Sequence, residues 1–126
     1  MIDSMESPHK FAFPLFVRLD DGEVIQIESY DKILYDLEAI DIENDEYRFW
    51  DAEGRGIRVV IKNSRVSELR ETDHDMRVQD AIGEYAGQLG TSIETTGTPL
   101  ETWRRVKEFK DSLPKRRGWL SRFFGQ

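Results

Sequence analysis

Phe11-Ala-Phe-Pro-Leu-Phe-Val-Arg-Leu-Asp-Asp-Gly-Glu-Val-Ile-Gln-Ile27 is the stretch that sets the fold class. Phe11, Phe13, Leu15, Val17 and Leu19 alternate with less apolar positions, the period of a half-buried strand. Asp20-Asp21-Gly22 supplies the positive φ angles a tight hairpin needs, and Val24, Ile25 and Ile27 make the return strand. Pro14 has no N–H to give to a ladder, so the first strand is expected at a sheet edge or with a bulge there.

Downstream the β pattern continues around a helical insertion. Ser29 is placed to cap a helix over Tyr30–Glu38, with Ile33, Leu34 and Leu37 on one face. Ile40 and Ile42 return to period-two spacing, and Tyr47, Phe49 and Trp50 read as a further strand. The segment 51–56 reads as a hairpin loop, Ile57, Val59 and Ile61 as one face of the next strand, and Asn63-Ser64 as a turn into a strand over Arg65–Leu69.

After Glu71 the period changes to helical. Thr72 or Asp75 can cap a helix carrying Val78, Ala81, Ile82, Tyr85, Ala86 and Leu89, which Gly90 stops. Thr98-Pro99-Leu100-Glu101 is the best-marked helix start, with Thr at the N-cap, Pro at the first turn and Glu three residues on. Leu100, Trp103, Val106, Phe109 and Leu113 follow at helical spacing until Pro114. The expected fold is therefore α+β: a small antiparallel, strongly curved sheet or partly open barrel with one inserted helix, then two helices and an amphipathic tail. The expected organisation is a polar N-terminus (1–10), a mainly β unit (11–71), two helices packed on it (72–113) and a basic tail (114–126).

Composition narrows the functional classes. The 126 residues contain no cysteine, so disulfides and thiolate chemistry are excluded. No apolar run approaches the ~20 residues of a membrane span, and the polar start lacks the form of a signal peptide. The expected location is the cytoplasm. Residues 104–126 hold eight basic side chains against Glu108 and Asp111, a net of +6 in a chain of −7, which leaves −13 on residues 1–103. So acidic a body is a poor partner for nucleic acid, where phosphate attraction dominates affinity.

Catalytic and metal motifs are absent. Gly54-Arg55-Gly56 lacks the context of a phosphate loop. Asp73-His74-Asp75 reads as a solvated, helix-capping loop, since three adjacent residues cannot all face one ion from regular structure. The acidic run Asp41, Glu43, Asp45 and Glu46 lacks the glycine of a calcium loop and reads as a solvated strand edge. Tyr47, Phe49 and Trp50 beside Arg48 read as core aromatics, because acidic flanks would repel a phosphate backbone. No cofactor is expected. An enzyme would instead need a pocket gathering polar groups such as Asp31, Arg48 and Asp51.

The functional candidates lie in the tail. Lys115, Arg116 and Arg117 precede Gly118, and the apolar pairs Trp119-Leu120 and Phe123-Phe124 flank Arg122. On a helix the four apolar positions cover an arc of about 140°. This pattern resembles the C-terminal membrane-targeting helix of the MinD-type division-site ATPases, over about a tenth of the chain and without their ATPase body. The resemblance implies reversible docking on an anionic membrane at the inner face. A partner's groove or the protein's own core would accept the same segment. Burial of four large side chains contributes roughly 2 kcal/mol each at most, and ordering costs about 1–2 kcal/mol per residue, so one tail is a weak anchor. Several tails held in a homo-oligomer would bind far better. The expected activity is thus that of a non-enzymatic adaptor for a protein partner, or an immunity-like inhibitor.

Overall fold

A computed structural model describes residues 11–114, and the tail residues singled out above lie outside it. The fold is α+β, built on a five-stranded antiparallel sheet. The strands are β1 (Leu15–Arg18), β2 (Val24–Ile27), β3 (Arg48–Trp50), β4 (Gly56–Lys62) and β5 (Arg65–Glu71), in the order β2-β1-β3-β4-β5. Between β2 and β3 lie a 3-10 turn at Tyr30–Lys32 and two short helices, α1 (Ile33–Asp36) and α2 (Ala39–Glu43). Two longer helices follow the sheet, α3 (Val78–Gln88) and α4 (Pro99–Ser112).

Strand alternation sends apolar side chains to both faces. Leu15, Val17, Ile27, Phe49, Ile57, Val59 and Leu69 pack with Phe11, Ile33, Leu37 and Ile42 under α1 and α2. Phe16, Val24 and Trp50 point the other way and pack with Val78, Ala81, Ile82, Tyr85, Ala86, Trp103 and Val106 of α3 and α4. The Trp103 ring stacks on Tyr85 at 6.2 Å and meets Phe16 at 6.0 Å. Each fully buried side chain of this size contributes about 1.5–3 kcal/mol.

Several sequence expectations need correction. The sheet is open, with β2 and β5 at opposite edges, so it does not close into a barrel. β1 is not an edge strand: it pairs with both β2 and β3, and Leu15, Phe16 and Val17 are all buried. Pro14 stands just before the ladder and removes no bond from it. The single inserted helix is two helices broken at Leu37-Glu38, and Ile40 and Ile42 sit on α2 rather than on a strand. Two isoleucines two apart fit either element, and here only Ile42 is buried while Ile40 is exposed. Ser29 forms no side-chain cap. α3 starts after Arg77, which forms no side-chain cap either, so neither Thr72 nor Asp75 caps it.

Other local signals hold. Gly22, at φ 94°, closes the β1–β2 turn. Thr98 and Glu101 exchange the two bonds of a capping box, at 3.1 and 3.0 Å, at the start of α4. The segment between the helices runs back along α3, where Gln79 holds the Gly97 carbonyl at 2.9 Å, and both helices begin beside Gly54.

The β4–β5 turn offers a test. Asn63 and Ser64 both have positive φ, 56° and 62°, the geometry for which Asn-Gly is preferred. A side chain held in this region costs about 1 kcal/mol. Ser64→Gly is therefore expected to stabilise the protein by about 0.5–1 kcal/mol, read as a higher urea midpoint with an unchanged slope.

Candidate functional site

Two polar constellations stand out. The first is built around Asp51, whose side chain is fully buried at the end of β3. Its Oδ1 accepts from the amides of Glu53 at 3.0 Å and Arg55 at 2.9 Å. Its Oδ2 accepts from the Ala12 amide at 3.1 Å and from Arg55 Nε and Nη2 at 3.0 and 2.9 Å. The hydrogen bond to Asp51 raises the Arg55 pKa above its ordinary value despite partial burial. With both oxygens occupied by backbone and guanidinium, Asp51 holds the β3–β4 hairpin and the incoming chain together. Close by, Gly56 pairs with Thr72, and a Cβ at Gly56 would collide with the Thr72 carbonyl.

The second constellation is a cleft, and it arises from unequal strand lengths. β3 has three residues and β4 has seven, and their ladder ends after Trp50–Gly56 and Phe49–Ile57. Beyond Ile57, β4 has no strand partner on its β3 side, while the chain before β3 turns away through Asp45, at φ 61°. The space is about 470 Å³. Ile42, Tyr47, Phe49, Val59 and Ile61 form its apolar walls, and Glu43, Asp45, Arg48, Arg58, Asp73 and Asp75 bring charges of both signs.

Local contacts hold these walls. Arg48 donates to the carbonyls of Asp45 and Tyr47, both at 3.2 Å. His74 Nε2 lies 2.9 Å from the Phe49 carbonyl, so that nitrogen carries the proton, and the ring stands edge-on to Trp50 at 5.2 Å. The Tyr47 hydroxyl donates to Asp41 at 3.1 Å. Burial first, then the hydrogen bond and charge of Asp41, with smaller pushes from Glu46 and Asp20, raise the Tyr47 pKa to about 12.

Residues highlighted by sequence fall in different places. Asp31 lies exposed on the 3-10 turn, Arg48 lies at the cleft and Asp51 lies buried in the hairpin, so these three do not form one pocket. Tyr47 and Phe49 meet edge to face at 6.2 Å, while Trp50 is buried on the opposite side of the sheet; the aromatics are packing groups. Asp73-His74-Asp75 does line the cleft, and the described residues contain no cluster of acidic or imidazole groups arranged for a metal ion. The cleft escaped sequence reading because it depends on where a ladder stops; the short aromatic strand before a long aliphatic one was its only trace. Among the described residues no helix is long and apolar enough to cross a membrane. No protein-family model, curated protein or solved structure matches the chain.

Two measurements test these constellations. Asp51→Asn is expected to cost about 1–3 kcal/mol, because the new amide nitrogen at this buried position cannot accept from the Ala12 amide and the partly exposed Arg55 guanidinium. Glu53→Gln, touching Arg55 at 3.5 Å from an exposed position, should change stability by less than about 0.5 kcal/mol in the same denaturation series. For Tyr47 the raised pKa means that the fold favours the neutral phenol. That stabilisation is complete below the ordinary value of 10.0 and is lost as pH climbs through about 12. Tyr47→Phe should flatten the fall in stability over that window and remove the last step of the phenolate absorbance titration.

Proposed function

We propose that the protein is a non-enzymatic interaction module that meets an anionic membrane surface through its basic C-terminal end. One observation carries the reading: α4 exposes Arg104, Lys107 and Lys110 among Glu101, Glu108 and Asp111 and ends at Ser112, two residues before Pro114, and the residues that follow, with the basic block Lys115, Arg116 and Arg117, contain no acid. A helix of mixed charge thus leads in sequence into a basic and apolar segment that resembles a MinD-type targeting helix. In this reading Trp119, Leu120, Phe123 and Phe124 enter the interfacial layer, Arg122 and the basic block meet lipid phosphates, and the acidic body stays off the surface. Each basic residue near anionic lipid contributes about 1 kcal/mol, so attachment is salt-sensitive and gains strength when several copies assemble. The setting is the inner face of a cytoplasmic membrane.

A second reading, a soluble inhibitor-like protein that grips a partner protein, is favoured by the cleft beside β4. Cosedimentation with vesicles of phosphatidylglycerol and phosphatidylcholine separates the two. The full chain is expected to pellet at low salt and to be released at high salt, and a chain ending at Pro114 should stay in solution. Equal pelleting of both chains sinks the membrane reading, and loss of a protein partner on truncation with no lipid effect supports the second.

A further inference from the structure

Four arginines stand in one row across the sheet. Arg18 of β1 is directly opposite Arg48 of β3, and Arg58 of β4 is directly opposite Arg70 of β5. The β3–β4 register, with Phe49 opposite Ile57, brings Arg48 level with Arg58 one step further along. Their strand neighbours Val17, Phe49, Ile57 and Leu69 enter the core under α1 and α2, so alternation turns all four arginines to the opposite face. Within each paired couple the strands stand about 4.8 Å apart, and the cleft opens between Arg48 and Arg58.

Like charges directly opposite one another weaken a ladder. Three of the four are partly neutralised: Arg18 by Glu84 of α3 at 3.8 Å, Arg48 by Asp45 at 3.8 Å, and Arg70 by Glu68. Arg58, exposed between Arg48 and Arg70, has no ion pair among the described residues. The Nε of Arg18 is buried without a hydrogen-bond acceptor. α3 and α4 contact the sheet through Phe16, Val24 and Trp50 of β1–β3, and Arg48 and Arg58 open into the cleft described above.

We propose that Arg58 and Arg48, the two arginines of the row that line the cleft, seat the phosphate group of a small hydroxylated phosphate monoester. A guanidinium presents paired donors that match phosphate oxygens, and a dianion between neighbouring arginines relieves their repulsion. Glu43, Asp45, Asp73 and Asp75 outnumber the two arginines on the cleft walls, so an extended polyanion such as nucleic acid is opposed and an anionic group is accommodated only if compact and held at Arg58 and Arg48. The same carboxylates accept hydrogen bonds from ligand hydroxyls. The cleft volume, about 470 Å³, is that of a small-molecule site. This inference is independent of the tail and stands or falls separately from membrane docking.

The test titrates the full chain with ribose 5-phosphate, ribose, inorganic phosphate and a single-stranded oligonucleotide, followed by amide NMR shifts and calorimetry. Ribose 5-phosphate is expected to bind tightest of the four and to move resonances of Arg48, Arg58, Val60 and His74. Arg58→Gln should weaken that binding about tenfold or more, the scale of a lost charge-assisted bidentate contact. Arg65→Gln, at the β4–β5 turn and outside the row, should leave it unchanged. Without ligand, Arg58→Gln should raise the thermal midpoint, since it removes a like-charged neighbour. The proposal is overturned by absence of shifts at the cleft, by equal binding in the two variants, by tighter binding of the oligonucleotide or of inorganic phosphate, or by a lower midpoint in Arg58→Gln.

Discussion

The arrangement of this protein depends on one buried carboxylate. Asp51 sits where β3 ends, fully enclosed, and accepts from three backbone amides and from the Arg55 guanidinium. Through Ala12 it fixes the chain entering β1, and through Glu53 and Arg55 it fixes the loop into β4. An ionised group out of water is tolerated only when its oxygens are satisfied in this way. With the hairpin pinned at this end, Phe16, Trp50 and Gly56 are held in register, and α3 and α4 both start beside the loop at Gly54.

That anchoring also explains why the opposite end is open. β3 pairs with β4 only next to the hairpin, and the chain before β3 leaves through the positive-φ Asp45 towards α2. β4 and β5 continue past it as a two-stranded ribbon, covered by α1 and α2 on one side and bare of α3 and α4 on the other. The cleft and the arginine row both arise there. The chain thus combines a rigid end, stabilised by burial and a saturated carboxylate, with an end where charge of both signs faces solvent.

Much of the fold was legible where a local rule decides. The β1–β2 turn at Asp20–Gly22, the turn at Asn63-Ser64 and the capping box at Thr98 were all readable, because each rests on backbone angles or bonds set within four residues. The insertion between β2 and β3 was less so. Period-two spacing of Ile40 and Ile42 fits a strand as well as one helical turn, and only packing against β4 and β5 separates them. Pro14 misled for the same reason: a missing donor excludes a ladder position, but it does not say whether the ladder starts one residue later.

The sequence by itself determined the class of elements, the absence of thiol chemistry, and the contrast between an acidic body and a basic end, because these follow from composition and short-range periodicity. Tertiary structure alone decided that the sheet stays open, that β1 is internal and that Asp51 is buried. It also decided that four arginines separated by up to 52 positions share one row. Those features depend on strand order and on the residue at which each ladder stops, and both come from contacts between segments far apart in the chain.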